Sequence, residues 1–139
     1  METKYYLNQD ILPTIPTPHD CWVTAVKYDS EFLTLTFEKD ISPHDSIKDS
    51  NSNAKSLRIR IHLLDPIFDT YKWKSKLSLM KGEGFILENN DKIFKKRFKP
   101  MQYLAHYVAY NSIIIELFQS EYIVIKIESD FIEFEWIEK

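Results

Sequence analysis

Apolar and polar residues alternate one for one through the closing part of the chain, and a period of two is the pattern of a strand with one buried face. Ile113, Ile115, Leu117, Ile123, Ile125, Ile127, Ile132, Phe134 and Trp136 fall on one face. Ile114, Glu116, Phe118, Tyr122, Val124, Lys126, Glu128, Glu133 and Glu135 fall on the other. A helix would scatter the first set around its circumference, and the β-branched residues disfavour it further. Three strands are predicted, Ile113–Phe118, Tyr122–Glu128 and Phe131–Ile137, with breaks of three and two residues between them. Breaks that short predict antiparallel neighbours and hence a C-terminal meander.

The same period recurs upstream. Cys21–Tyr28 and Phe32–Glu38 flank a short turn and predict a hairpin. Leu57–Leu64 places Leu57, Ile59, Ile61 and Leu63 opposite Arg58, Arg60 and His62. Tyr71–Met80 sets Tyr71, Trp73, Leu77 and Leu79 opposite Lys72, Lys74 and Lys76, as a sheet does when lysines solvate one face. Phe85–Leu87 and Ile93–Phe98 carry fainter strand patterns. Three prolines within 13–18 predict an extended arm over 11–19. Segment 40–56, rich in Ser, Asn and Asp, predicts a flexible polar loop. Residues 100–111 fit either one short helix, opened by Pro100, or a strand rich in Tyr and Val. The expected fold is mainly β, an antiparallel β-sandwich or open barrel, in a single domain spanning residues 1–139.

Much common chemistry is excluded by what the chain lacks. Two glycines leave no glycine-rich phosphate loop, and one cysteine leaves no intrachain disulfide. No serine elbow, metalloprotease helix or kinase signature is present, so no enzyme activity and no cofactor are expected. The opening residues lack the apolar core of a secretory signal, and apolar runs such as Ile113-Ile114-Ile115 are too short to span a bilayer as a helix. A cytoplasmic protein without membrane association is expected.

Two clusters invite a test for chemistry. His19-Asp20-Cys21 and His44-Asp45 offer imidazole, carboxylate and thiol, with His62 or His106 as further ligands, but the spacing fits no closed zinc motif. No metal is expected. Cys21 with His19 has the composition of a nucleophile and its base, yet no glycine turn or helix start follows to supply oxyanion donors. A buried apolar thiol is the simpler reading.

Charge is unevenly distributed along the sequence. Residues 72–99 carry nine bases and three acids, whereas residues 100–139 carry two bases and seven acids, within an overall net charge of −3. Lys72, Lys74 and Lys76 around Trp73, and Lys95-Lys96-Arg97 between Phe94 and Phe98, interleave bases with aromatics, as single-strand nucleic-acid binders do. That alternative competes with binding of another protein, which the acidic C-terminal strands favour. There Glu116, Phe118, Tyr122, Glu128, Glu133 and Glu135 combine aromatic anchors with carboxylates, and they are the expected partner-binding residues.

The segment Pro16–Glu38, with His19-Asp20 before one strand and Leu33-Thr34-Leu35-Thr36-Phe37 forming the next, resembles small bacterial β-rich domains found among polymorphic-toxin immunity proteins and uncharacterised neighbours. The closing strand Phe131–Trp136 is similar in character. The resemblance implies either a protein that binds and neutralises a cognate toxin or an orphan domain, and it carries over no site residue.

Overall fold

A computed structural model describes residues 2–77, 82–96 and 98–139. Among the described residues ten strands run in chain order: β1 Glu2–Tyr6, β2 Trp22–Tyr28, β3 Phe32–Phe37, β4 Ala54–His62, β5 Asp69–Leu77, β6 Gly82–Glu88, β7 Met101–Ala109, β8 Ser112–Phe118, β9 Tyr122–Glu128 and β10 Phe131–Glu138. They form one sheet in the order β1-β10-β4-β3-β2-β7-β8-β9-β5-β6, and every neighbouring pair is antiparallel. The protein is therefore mainly β. Helix α1, Asp45–Ser50, and a π-helical turn over Lys92–Lys96 lie in the longer connections. No described helix is long and apolar enough to cross a membrane.

The sheet has two halves, joined at a narrow seam. Between β2 and β7 only Trp22 faces Gln102 and Val23 faces Met101. The Asp20 N–H to Tyr103 O bond (2.8 Å) and the Tyr103 N–H to Cys21 O bond (2.9 Å) extend that seam. The inner faces of both halves feed one apolar core. All nine residues read as core in the closing strands are buried, as are Leu33, Leu35, Leu57, Ile59 and Ile61 from the other half. At about 1.5–3 kcal/mol per fully buried large apolar side chain, this core is the dominant stabilising term.

Several expectations change on the structure. The predicted meander keeps only its first hairpin. β8 pairs with β9, but β10 crosses to the other half and lies between β1 and β4. A two-residue hairpin needs positive φ at its first central residue or at both. Ser129 and Asp130 have no positive φ, so the chain turns a corner instead. Ser129 N–H donates to Asn111 O (3.1 Å), and Leu7 N–H donates to Asp130 O (2.7 Å). This is how a strand passes from one sheet face to a crossing one.

Residues 100–111 form β7 and no helix, because cross-strand partners on β8 use the strand-forming tyrosines. Positive φ at Asn111 (53°) closes the β7–β8 turn. Ile93–Phe98, expected as strand, instead contains the π-turn, with Ile93 and Phe94 buried. Segment 40–56 contains α1 and the start of β4, with Ile41, Ile47 and Ala54 in the core. Residues 78–80 of the predicted Tyr71–Met80 strand lie outside the described residues.

Candidate functional site

The strand β5 settles which side of the second half meets solvent. Lys72 pairs with core-facing Ile123, and Tyr71 pairs with Val124 on the opposite side. Thr70 is fully buried. The alternation was legible, but its sense is inverted: Thr70, Lys72 and Lys74 share the side of the core, while Tyr71 and Trp73 share the outer side. On β6 the same register places Phe85 opposite Trp73 and Leu87 opposite Tyr71.

The outer side of β5, β6, β8 and β9 consequently carries a run of large apolar and aromatic side chains with charged residues among and beside them. Register puts Leu87, Tyr71, Val124, Glu116 and Ala105 in one row across the strands. The flanking row contains the edge-to-face pairs Trp73–Phe85 and Phe118–Tyr122, each with ring centroids 5.1 Å apart. Phe85 is 47% exposed, Tyr122 50%, and Leu87 62%. Large side chains held this open on a strand pay the cost of apolar contact with water. On the far flank Asp69 faces Lys126, which in turn faces Ile114, and Ile114 faces Tyr107. Glu128 sits further along β9, opposite Ser112.

Of the six residues expected to bind a partner, four belong to this face: Glu116, Phe118, Tyr122 and Glu128. The other two do not. Four strands (β4, β3, β2 and β7) separate β10 from β8, so Glu133 and Glu135 project from the other half. There they are engaged. Glu133 is 6% exposed, accepts from Arg60 Nη1 at 3.0 Å and lies 3.4 Å from Lys4 Nζ. Glu135 pairs with Arg58 at 3.3 Å. Tyr71, Trp73, Phe85 and Leu87 were not singled out for this surface from sequence. Their period was visible, but the choice of face depends on pairing with β9, which no local pattern encodes.

The bases and aromatics interleaved in sequence separate in space. Trp73 is on the outer side, Lys72 and Lys74 on the inner. Lys74 and Lys92 both pair with Glu88, at 3.6 and 3.7 Å. Lys95 pairs with Asp91 at 3.4 Å and covers the Tyr28 ring, whose hydroxyl donates to Asp91. That hydrogen bond, first among several causes, holds the Asp91 carboxyl below its ordinary value.

The side chains of the two His-Asp clusters are engaged by their own neighbours in the fold. His19 Nδ1 bonds Leu104 O at 2.7 Å and its Nε2 lies 3.3 Å from Asp20, while His44 pairs with Glu38 at 3.4 Å. Cys21 is buried, and burial, followed by the Glu38 charge, pushes its thiol up to about 12. Such a thiol is a packing group, since thiolate is the reactive form. Among the described residues, the only His, Cys, Asp and Glu side chains with three ligand atoms within 4.8 Å of one another are Glu2, Glu133 and Glu135. Lys4, Arg58 and Arg60 already neutralise the last two. No protein-family profile, curated protein or solved structure matches the chain.

Proposed function

We propose that the protein is a protein-binding module that acts by occlusion, and that the outer face of β5, β6, β8 and β9 is its contact surface. The observation that carries this reading is the continuous run of partly exposed Phe85, Leu87, Trp73, Tyr71, Tyr122 and Phe118 on a sheet face turned from the core. Aromatic residues at the centre with charge at the rim are the composition of a binding patch. Asp69, Glu116 and Glu128 outnumber Lys126 at that rim, so the fitting partner presents an apolar ridge bordered by bases. A nucleic-acid-cleaving toxin has such a basic surface, and the likeness of 16–38 to immunity domains supports an immunity-type inhibitor.

The test uses the product of the reading frame adjacent to this gene. Calorimetry should show a saturable complex, and the double variant Phe85→Ala/Tyr122→Ala should weaken it by about a hundredfold or more, as hot-spot truncations do. An unaltered affinity in the double variant defeats the reading, as does absence of a complex. Filter binding with single-stranded and duplex DNA and RNA at two salt concentrations probes the alternative. Salt-sensitive micromolar affinity there would replace a protein partner with nucleic acid.

A further inference from the structure

The core-side lysines of β5 open a second possibility, on the opposite side of the sheet from the aromatic face. Lys72 and Lys74 project toward the interior at the end of the second half, where the π-turn approaches β5 and β6. They meet Lys92 from that turn and Glu88 from β6 around a half-open recess of about 110 Å³. Ile93 and Ile123, both buried, form its apolar wall. Gln119 borders it; its amide donates one hydrogen to Lys99 O at 3.3 Å and retains a second.

The charges in the recess do not balance. Among the described residues Glu88 is the sole carboxylate in the lining, and its two oxygens are taken by Lys74 and Lys92. Lys72 is half-buried and forms no ion pair among the described residues. Three ammonium groups against one carboxylate leave an excess of two positive charges around a half-open hollow, with Lys72 half-buried beside the apolar wall. Ammonium groups drawn toward low dielectric are costly unless an anion answers them. Surface lysines on a strand normally face solvent; here the register with Ile123 sets Lys72 on the core side of β5, where it is half-buried.

We propose that this recess binds a phosphomonoester dianion, held by Lys72 with Lys74 and Lys92. Two negative charges match the excess. Several ammonium donors converging on one tetrahedral oxyanion make charge-assisted hydrogen bonds, about twice as strong as neutral ones. The volume suits one phosphoryl group, and the isoleucine wall suits the carbon skeleton beyond it.

Inorganic phosphate and free phosphoserine are the probes, titrated at low ionic strength and followed by backbone amide shifts. The expected result is saturable shifts at Gln119 and Ile123 with either probe, stronger at pH 7.5 than at pH 5.5, because phosphoserine loses its second proton at about pH 6 and inorganic phosphate somewhat above that, so the dianion prevails only at the higher pH. Lys72→Gln should weaken binding by about tenfold or more, and Lys72→Arg should restore most of it. Glu88→Gln removes the competing carboxylate and should tighten it. Shifts no larger than those from sodium chloride at equal ionic strength overturn the proposal, as does equal affinity in folded Lys72→Gln. A single-stranded oligonucleotide that outcompetes both probes would transfer the recess from monoesters to a phosphodiester chain.

Discussion

The Tyr103 hydroxyl donates to His106 Nδ1 at 2.6 Å, and His106 Nε2 donates to the Ile15 carbonyl at 3.1 Å. A carbonyl can only accept, so the Nε2 proton is fixed and Nδ1 is left as the acceptor. The pair ties the proline-rich arm to β7 at the seam of the sheet, where the ladder is narrowest. Tyr103 is 1% exposed. Tyr103→Phe would leave Nδ1 without its donor and should cost about 1–3 kcal/mol in urea unfolding. A loss under a few tenths would show that water replaces the hydroxyl.

His106 also predicts a pH dependence. Burial is the first cause that lowers its pKa, partly opposed by the Ile15 hydrogen bond. The unfolded chain therefore takes up a proton at this imidazole at a higher pH than the folded chain does. Its contribution to stability is complete above about pH 6.5 and is lost as pH falls through the lowered folded value. Thermal midpoints should fall from pH 7.5 to pH 5, and the decline should be shallower in His106→Gln. Parallel curves for the two proteins would remove His106 as the cause.

Glu133 has a structural role at odds with its place in the sequence pattern. It reads as one of several outward carboxylates, yet Arg60 and Lys4 close over it while Arg60 stacks 4.1 Å above the Phe32 ring. Glu133→Gln leaves two bases without their counter-charge and should destabilise by about 1–3 kcal/mol. Glu128→Gln, on an exposed rim, should stay within about 0.5 kcal/mol. Chemical denaturation of both variants checks the contrast, and similar midpoints would contradict it.

Asn111 turns the β7–β8 hairpin with φ of 53°, and its side-chain oxygen is buried without a hydrogen-bond partner. Its backbone does the structural work: N–H donates to Leu7 O at 2.8 Å, and O accepts from Ser129 N–H at 3.1 Å. Asn111→Gly keeps both bonds and deletes the orphaned oxygen, so stability should hold or rise. Asn111→Val forces a β-branched residue into the left-handed region and should cost about 1–3 kcal/mol. Equal melting temperatures for Gly and Val would refute the argument.

What the sequence disclosed follows the range over which its signals act. Period-two alternation is local, so nearly every long strand and all nine closing core residues were legible. The sense of alternation in β5 was not, because Tyr71 and Lys72 exchange sides according to how β5 meets β9. The β9–β10 corner was hidden for a similar reason: Ser129 and Asp130 look like a tight turn until their backbone angles and their bonds to Leu7 and Asn111 are known. β1 escaped because its five residues, three of them exposed, carry no clear apolar face. Half of the candidate surface was visible through Phe118 and Tyr122. The other half, Trp73 and Phe85, required the register.

The division of the acidic residues between two faces makes the kinetics of association informative. Glu116 and Glu128 border the aromatic face, whereas Glu133 and Glu135 are held by bases on the other half of the sheet, with β4, β3, β2 and β7 lying between β10 and β8. Carboxylates at a rim accelerate encounter with a basic partner and make it salt-sensitive, while dissociation is governed by the desolvated centre. With the verified partner, Glu116→Gln/Glu128→Gln should slow association several-fold, by roughly 3–10 times, and flatten its dependence on salt. Glu135→Gln should leave the association rate unchanged. Trp73→Ala should act instead on dissociation. Stopped-flow mixing across a salt series separates these effects, and a slowing by Glu135→Gln equal to that of the rim pair would place the contact on the charged half of the sheet.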